Sequence, residues 1–360
     1  MKNCLATSQK AVCFFVYFFL IQFHTACSEA IKTDPAYLSS GSSRPASIGI
    51  IGDTADIEAP VNGGIVLMGG GSDVQSAFKW MIGRSGGGDV VIIRASGTDA
   101  YNSFIYHLGN VNSVETLKID SRELADNDTV ADIIRNAEML FIAGGNQANY
   151  MNFWRGTKTN DAINYLLNTK KAPVGGTSAG CAILSGFYYS GENGGITSAE
   201  AMSDPWNSKV TLYNNDFLHA PFLSNVVTDQ HYLAREREGR HLVFIARIYN
   251  DFNVAALGIA ADEKTAVCID ENGIAEVFGT SRAYFLIQSE AKRPEQFSRG
   301  NIVTWKHNQK AVIVYEIEAA TTGNGSFNVN TFSESDAAGG KWFWWWIDDG
   351  ILYKRERELW

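Results

Sequence analysis

The stretch VGGTSAGCAIL at residues 174–184 places Ser178 among small residues in the order Gly-x-Ser-x-Gly. A short apolar run, APVG, precedes the serine, and a helix-compatible run, CAILSG, follows it. A serine on such a strand–turn–helix bend can be a nucleophile, because small neighbours leave room for a strained backbone. Serine is also a common helix N-cap, and glycine is common at bends. The pattern alone therefore leaves both interpretations open.

A nucleophilic serine needs a base, and among the six histidines His231 has the most suggestive surroundings. It stands in VVTDQHYLAREREGR (226–240), where an apolar strand changes into a charged helix start. A solvated helix with paired charges explains the same run, so the assignment is a hypothesis. Asp262 and Glu263 follow a further strand-like run. One of these carboxylates can orient the histidine, although the pair can equally mark a turn.

From about residue 62, apolar strand-like runs alternate with helical patterns. The strand candidates are GIVLMGG (64–70), DVVIIRASG (89–97), SVETLKI (113–119), AEMLFIAGG (137–145) and APVGG (172–176). This alternation predicts an α/β fold, with a mainly parallel sheet and helices on both faces. Sites in such sheets lie at the carboxyl ends of the strands, where Ser178 is expected.

Beyond about residue 264, short strands and turns replace this alternation. Hairpins are predicted over 265–279, 301–319 and 341–356, and a strand at 283–288 is predicted to continue the first hairpin. The tryptophans of KWFWWW (341–346) favour an aromatic core, with a carbohydrate or peptide platform as the alternative. We therefore expect a catalytic α/β domain at 62–280 and a β-rich extension at 281–360.

The N-terminus has the pattern of a signal peptide. Lys2 and Lys10 precede AVCFFVYFFLIQF (11–23), an uncharged run that is short for a membrane span, and small residues follow it. We expect a signal peptide at 1–27, a linker and N-terminal segment at 28–61, and an extracytoplasmic protein. Cys27 is a candidate for lipidation.

Composition and spacing exclude several classes of function. A net charge of −9 and a pI near 5.2 argue against nucleic-acid binding. Outside the N-terminal segment only Cys181 and Cys268 remain, so we expect no disulfide framework. No CxxC or HExxH spacing indicates a metal site, and no cofactor is expected.

Five motifs in this order make the chain resemble the cyanophycinase-like serine peptidases, a family that also contains the aspartyl dipeptidases. The motifs are LMGGG (67–71), AGGNQ (143–147), GGTSAG (175–180), TDQHYLAREREGR (228–240) and GIAADEKTA (258–266). The resemblance covers roughly 62–275. It implies a fold related to the class I glutamine amidotransferases and hydrolysis of β-aspartyl peptide bonds, as in a β-Asp-Arg polymer of the cyanophycin type.

The resemblance also implies roles for single residues. Ser178 matches the family nucleophile, His231 its general base, and Glu263 the carboxylate that orients the histidine. The backbone of Gly145 and Ala179 matches the oxyanion hole. The positions that line the family's substrate pocket are matched by Gln147, Asp229, Gln230, Arg235, Arg237 and Arg240. Arginines there suit a substrate carboxylate, and Asp229 suits a cationic or amine group.

The chain departs from the family pattern at FYYSGENGGITSAEAM (187–202), which is glycine-rich and longer than expected. This departure leaves the catalytic class intact and puts the substrate in question. Hydrolysis of a β-aspartyl peptide or cyanophycin-like polymer is the leading hypothesis. The alternatives are an aspartyl dipeptidase without polymer activity and a non-catalytic surface protein that binds through the aromatic tail. A homodimer is left open.

Overall fold

The computed structural model describes residues 44–289 and 291–358. The strands are β1 (Ser47–Gly52), β2 (Gly64–Met68), β3 (Asp89–Arg94), β4 (Ser113–Lys118), β5 (Met139–Ile142), β6 (Pro173–Thr177), β7 (Phe187–Tyr189), β8 (Leu212–Asn214), β9 (Val226–Gln230), β10 (Leu257–Ala261), β11 (Thr265–Asp270), β12 (Ile274–Gly279), β13 (Arg282–Ile287), β14 (Val312–Glu318), β15 (Asn324–Asn328), β16 (Ala337–Ala338), β17 (Lys341–Asp348) and β18 (Ile351–Glu356).

The helices lie between these strands. They are α1 (Gln75–Arg84), α2 (Ala100–Leu108), α3 (Arg122–Ala125), α4 (Asp128–Asn136), α5 (Gln147–Trp154), α6 (Lys158–Tyr165), α7 (Ala179–Ala182), α8 (Ser198–Ser203) and α9 (Glu238–Phe252). A π-helical turn, Leu166–Lys170, continues α6, and a short 3₁₀ turn, Glu334–Asp336, precedes β16. Within the described ranges, no helix is long and apolar enough to cross a membrane.

The first sheet has ten strands in the order β1-β4-β3-β5-β6-β2-β11-β12-β15-β16. Its centre, β4-β3-β5-β6-β2, is parallel throughout. The valines and isoleucines at 90–93 in β3 are buried, as is typical of parallel strands that are covered on both faces. The parallel centre therefore directs the carboxyl ends of β2, β5 and β6 to one edge.

The second sheet has eight strands in the order β18-β17-β14-β13-β10-β9-β7-β8. Only the neighbours β10-β9 and β9-β7 are parallel, and the strands on either side pair antiparallel. The two sheets share the largest hydrophobic cluster, which includes Ile65 of β2, Ile259 of β10 and Phe285 of β13. Helices α1 and α2 cover the opposite face of the first sheet, and α9 covers that of the second.

The predicted α/β fold is confirmed for the parallel centre, which has helices on both faces. The hairpins β11–β12 and β17–β18 also form where they were expected. Trp342, Trp345 and Trp346 are buried, in agreement with the aromatic core that the sequence favours. Cys181 and Cys268 are buried free thiols.

Two expectations about the strands are wrong. The predicted hairpin over 301–319 does not form, because Trp305 pairs with Ile347 and β14 lies between β13 and β17. β13 does not continue the β11–β12 hairpin but pairs with β10 and β14. The linker and N-terminal segment expected at 28–61 includes β1, which pairs antiparallel with β4.

The region expected as a separate extension, 281–360, supplies strands to both sheets. β15 and β16 join the first sheet, while β13, β14, β17 and β18 join the second. The signal peptide expected at 1–27 and Cys27 lie outside the described residues, as does the linker as far as residue 43.

Candidate active site

Ser178, His231 and Glu263 each follow the carboxyl end of a parallel strand. Ser178 comes directly after β6, His231 directly after β9, and Glu263 two residues after β10. β9 and β10 are paired so that Ala261 lies opposite Gln230. Strand ends thus bring together three residues that are far apart in the chain.

A continuous hydrogen-bonded chain joins the three side chains. Ser178 Oγ lies 2.7 Å from His231 Nε2, and His231 Nδ1 lies 2.7 Å from Glu263 Oε1. A carboxylate can only accept a hydrogen bond, so Nδ1 must carry the proton and donate it to Glu263. Nε2 is then unprotonated and accepts from the Ser178 hydroxyl. This tautomer is the one that a general base requires.

Ser178 has an unusual backbone, with φ 52° and ψ −113°. Such a conformation costs on the order of 1–3 kcal/mol in a non-glycine residue. The flanking glycines explain how the bend packs. A methyl group on Gly176 would lie 2.5 Å from the carbonyl carbon of Gly180, and one on Gly180 would lie 2.2 Å from the Ile142 oxygen. Ser178 occupies the N-cap position of α7, but its side-chain hydroxyl caps no helix N–H.

Three successive carbonyl groups at the end of β2 hold the three loops. The Met68 oxygen accepts from Ser178 N at 3.0 Å, the Gly69 oxygen from His231 N at 2.8 Å, and the Gly70 oxygen from Lys264 N at 2.9 Å. These bonds link loops from both sheets to one peptide segment. We call Met68, Gly69 and Gly70 the carbonyl row.

Gly70 and Gly71 must be small because the side chains of His231 and Glu263 pack directly on them. A methyl group on Gly70 would lie 2.4 Å from His231 Cε1, and one on Gly71 would lie 3.1 Å from Glu263 Oε2. Both glycines also have positive φ angles, 97° and 73°. The glycine run after β2 therefore shapes the floor beneath the histidine and the glutamate.

The pKa of His231 lies below its ordinary value. Burial of the ring is the main cause, and the hydrogen bond to Glu263 opposes it. The nearby guanidinium groups of Arg235 and Arg237 lower the pKa further. The imidazole is accordingly neutral, and able to act as a base, at and somewhat below neutral pH.

Asp262 fixes the loop that follows His231. Its Oδ1 accepts from the backbone N–H groups of Leu233 and Ala234, both at 2.9 Å. Its Oδ2 accepts from Ser281 Oγ at 2.7 Å. Of the two adjacent acidic residues, one therefore orients the loop while Glu263 contacts the imidazole.

The structure corrects the expectation that Asp229 and Arg240 line the substrate pocket. Arg240 Nε donates to Asp229 Oδ2 at 2.8 Å, and Nη2 donates to Oδ1 at 2.6 Å. Both residues are at most 2% exposed, so neither has surface to offer a substrate. Burial alone would raise the pKa of the Asp229 carboxyl, but Arg240 and then Arg237 outweigh it and keep that pKa below its ordinary value.

The other expected pocket residues on this side differ in exposure. Gln230 is buried, so its side chain also has little surface for a substrate, and its backbone carbonyl oxygen accepts from Arg237 Nη1 at 2.9 Å. Arg237 is half-buried, and burial lowers its pKa to about 10. Arg235 is exposed, and its guanidinium makes no ion pair with another described residue. Of the arginines expected in the pocket, Arg235 is thus exposed, whereas Arg237 is only partly exposed and its Nη1 lies 3.7 Å from Asp229 Oδ1.

The loop after β5 lies on the other side of the serine. A methyl group on Gly144 would lie 3.4 Å from Ser178 Cβ, which places this loop against the nucleophile position. Gly145 is exposed, and Ala179 is the first residue of α7, where backbone N–H groups have no partner within the helix. Gln147 begins α5 and is half-exposed.

The family model described as peptidase family S51 matches residues 65–277, which is more than half of the chain and includes all three side chains. The chain belongs to peptidase family S51. This membership assigns it to the serine-type peptidases.

Curated relatives of the S51 chain are cyanophycinases at low identity. The cyanophycinase of Trichormus variabilis is 24% identical over 175 residues, which cover 49% of this chain and 53% of the relative. The cyanophycinase of Geminocystis herdmanii is 23% identical over 181 residues, which cover 50% of this chain and 60% of the relative. The match thus spans little more than half the length of these relatives.

Two solved structures are also similar. A peptidase from an acI-B1 Actinobacterium has a TM-score of 0.46 and 16% identity, covering 63% of this chain and 91% of that one. A Listeria monocytogenes EGD-e protein provisionally assigned as peptidase E has a TM-score of 0.38 and 18% identity, covering 61% of this chain and 100% of that one.

Several residues that build the S51 site have a role that the sequence alone does not indicate. The carbonyl row and Gly71 fall within LMGGG, whose only visible signal is a glycine run at a strand end. The loop-fixing contacts of Asp262 could be suspected from its position beside Glu263. The sequence does not reveal that Asp229 binds Arg240. Asp229 lies in β9 and Arg240 in α9, and their spacing in the chain does not show that the two side chains meet.

Proposed function

We propose that the protein is a serine peptidase that hydrolyses β-aspartyl peptide bonds, including β-Asp-Arg bonds of a cyanophycin-like polymer. The observation that carries this proposal is the hydrogen-bonded chain Ser178–His231–Glu263, with Ser178 on a strained bend. Ser178 is the nucleophile, His231 the general base and Glu263 the carboxylate that orients the imidazole. The cyanophycinase relatives support the substrate class.

The chemistry follows from the positions of these atoms. Ser178 Oγ attacks the scissile carbonyl carbon while His231 Nε2 takes the hydroxyl proton. The backbone N–H groups of Gly145 and Ala179 donate to the oxyanion that forms. The C–N bond then breaks as His231 returns the proton to the leaving amine, which leaves an acyl-enzyme on Ser178. Water, deprotonated by His231, hydrolyses the ester.

Two arginines support an aspartyl residue on the acyl side of the scissile bond. An aspartyl residue keeps one free carboxylate two carbons from the scissile carbonyl in either linkage, and in the β linkage that carboxylate shares its carbon with the amino group. Arg235 and Arg237 stand beside His231, and a guanidinium fork matches the geometry of a carboxylate. We therefore assign these two residues, and not Arg240, to capture of that carboxylate.

A substrate panel tests this function. Purified protein is incubated with a β-Asp-Arg polymer, the dipeptide β-Asp-Arg and the α-linked dipeptide Asp-Arg, and the products are measured by mass spectrometry. We expect cleavage of both β-linked substrates and none of the α-linked one. Cleavage of the dipeptide alone would favour an aspartyl dipeptidase, and cleavage of the α-linked peptide alone would contradict the β-aspartyl proposal.

Export belongs to the same proposal. The N-terminal pattern supports removal of 1–27 and an extracytoplasmic protein. Mass spectrometry of the native N-terminus tests this, because an intact 11–23 peptide in the mature protein would contradict it. Labelling with a lipid precursor tests an anchor at Cys27, and light scattering of the purified protein tests a homodimer.

A further inference from the structure

The segment 190–195 forms a tip beside the nucleophile side of the site. A methyl group on Gly191 would lie 3.2 Å from Gln147 Nε2. Gln147 follows Gly144 and Gly145, and Gly144 lies against Ser178. The tip belongs to the glycine-rich stretch in which this chain departs from the family pattern, so family resemblance does not explain it.

The buried ion pair anchors this tip at both ends. At one end, the guanidinium carbon of Arg240 lies 5.2 Å from the ring centre of Tyr189. At the other end, Arg240 Nη1 donates to the Ile196 carbonyl at 3.0 Å. Within the tip, Tyr189 donates to the Gly194 carbonyl at 2.7 Å. Asp229, by fixing Arg240, therefore also fixes the position of the tip.

The tip carries a carboxylate that lacks a cationic partner. Glu192 is exposed, and within the described ranges it forms no ion pair. The hydroxyl of Tyr213 donates to its two oxygens at 2.8 and 3.1 Å. Tyr213 is itself held, because its ring stacks on Tyr188 at 5.5 Å and lies 4.9 Å from the guanidinium carbon of Arg155. The charge of Glu192 thus has a fixed place on the rim.

Arg155 does not neutralise this charge directly. Its guanidinium forms an ion pair at 3.0 Å with Asp216, a different carboxylate. Tyr188 also donates to Asp216. Asp216 therefore has two partners, Arg155 and Tyr188. Among the described residues, the Glu192 carboxylate accepts only from the neutral hydroxyl of Tyr213.

We propose that Glu192, oriented by Tyr213, selects substrates with a cationic side chain next to the scissile bond. This inference rests on the proposed function and assigns a specificity residue to it. A guanidinium or an ammonium group can pair with a fixed carboxylate, and a guanidinium can do so with two hydrogen bonds. Arg235 and Arg237 offer positive charge beside His231, whereas Glu192 offers negative charge on the tip, whose Gly191 lies against Gln147. The site accordingly suits a substrate that carries both charges.

The test measures binding without turnover. In a Ser178→Ala protein, affinities for β-Asp-Arg, β-Asp-Leu and β-Asp-Glu are measured by calorimetry. Glu192→Gln keeps an acceptor for Tyr213 but removes the charge. We expect it to weaken β-Asp-Arg binding about fivefold, the equivalent of about 1 kcal/mol for an exposed ion pair, and to leave β-Asp-Leu binding unchanged. Glu192→Lys should shift preference toward β-Asp-Glu.

Glu58→Gln is the matched control, because it removes the same charge from an exposed glutamate at the opposite sheet edge. Its neighbour Ile57 binds Asp89, the first residue of β3. We expect this variant to keep the parent's preference for the arginyl peptide. Unchanged β-Asp-Leu affinity in Glu192→Gln shows that the pocket is intact. The inference is wrong if Glu192→Gln retains the parent's Arg-to-Leu preference, whatever the hydrolysis assay gives.

Discussion

Ser178 is positioned by close contact between backbone atoms, whereas His231 is positioned by charged and hydrogen-bonding side chains. Around the serine, Gly176 and Gly180 approach so closely that neither tolerates a side chain. Around the histidine, Glu263 and Asp262 supply carboxylates, and the buried pair of Asp229 and Arg240 lies behind. The serine belongs to the first sheet and the histidine to the second.

This difference shows which changes each side can tolerate. The serine side depends on volume, so an added methyl group is expected to be more damaging there than a lost charge. The histidine side depends on charge balance, so a neutral substitution of similar size is enough to disturb it. Gly70 connects the two sides. It is a small residue that follows β2 of the first sheet, and it contacts the imidazole of His231, which follows β9 of the second sheet.

The largest expected effect is the loss of the nucleophile. Ser178→Ala should lower kcat on the cleaved β-aspartyl substrate by about 10⁴-fold or more, while substrate still binds. Ser178→Gly should be equally inactive but about 1 kcal/mol more stable than Ser178→Ala, because glycine relieves the positive φ. Single-turnover kinetics and urea unfolding check the two parts. A Ser178→Ala protein with wild-type kcat would contradict the nucleophile assignment.

Breaking the buried ion pair tests the histidine side. Asp229→Asn should lower the free energy of unfolding by about 3–5 kcal/mol, because it leaves Arg240 charged and unpaired in the interior. The control is Asp132→Asn, which removes a carboxylate from an exposed pair with Arg135 and should cost less than about 1 kcal/mol. Urea unfolding measures both. Equal costs for the two substitutions would show that the buried pair has no special role.

Gly70→Ala tests the contact between the sides. Its methyl group would meet His231 Cε1 at 2.4 Å, so the imidazole must move and kcat should fall about 100-fold. Gly83→Ala is the control, since Gly83 lies in α1 with open space around it. That substitution should raise stability by about 1 kcal/mol without changing kcat. If both variants keep wild-type kcat, Gly70 does not position the histidine.

The smallest expected effect is on the pH profile. The base must be unprotonated, and the pKa of His231 is lowered, so kcat/KM should persist below about pH 6.5 before it falls. Arg235→Gln removes a cation that disfavours the imidazolium, which raises this pKa and should move the acid limb to higher pH. Arg235→Lys keeps the charge and should not move the limb. A shift of equal size in both variants would contradict this electrostatic account.

The same titration affects stability. Because the unfolded chain binds the His231 proton near pH 6.5 and the folded chain binds it only at lower pH, the unfolded state holds more protons between these values. The free energy of unfolding should therefore decrease as the pH falls from 6.5 toward the folded pKa. Guanidinium unfolding at several pH values measures this slope.

The sequence predicts the parallel centre well because its signal is local. β2, β3 and β5 are short apolar runs, and glycine-containing loops follow β2, β5 and β6. The positions of Ser178, His231 and Glu263 at strand ends follow from the same local signal. Resemblance then selects these residues among the alternatives that the spacing leaves open.

Apart from the β17–β18 hairpin, the pairing of strands in the second sheet could not be predicted, because periodicity identifies a strand but not its partner. β13 has the same apolar pattern whether it pairs with β12 or with β10. Trp305 likewise gives no local sign that it pairs with Ile347. The burial of Asp229 escapes sequence reasoning for a similar reason, since a strand-end aspartate looks the same beside solvent as beside Arg240.

The carbonyl row has a consequence for how activity is acquired. Met68 contacts Ser178, Gly69 contacts His231, and Gly70 contacts Lys264, and each partner comes from a distant part of the chain. Contacts between residues remote in sequence carry the largest loop-closure cost and are slow to form. A nascent chain that ends before residue 264 has strands of the first sheet but lacks the last partner of the carbonyl row. Assembly of the Ser178–His231–Glu263 arrangement therefore has to wait until the chain has been made past residue 264.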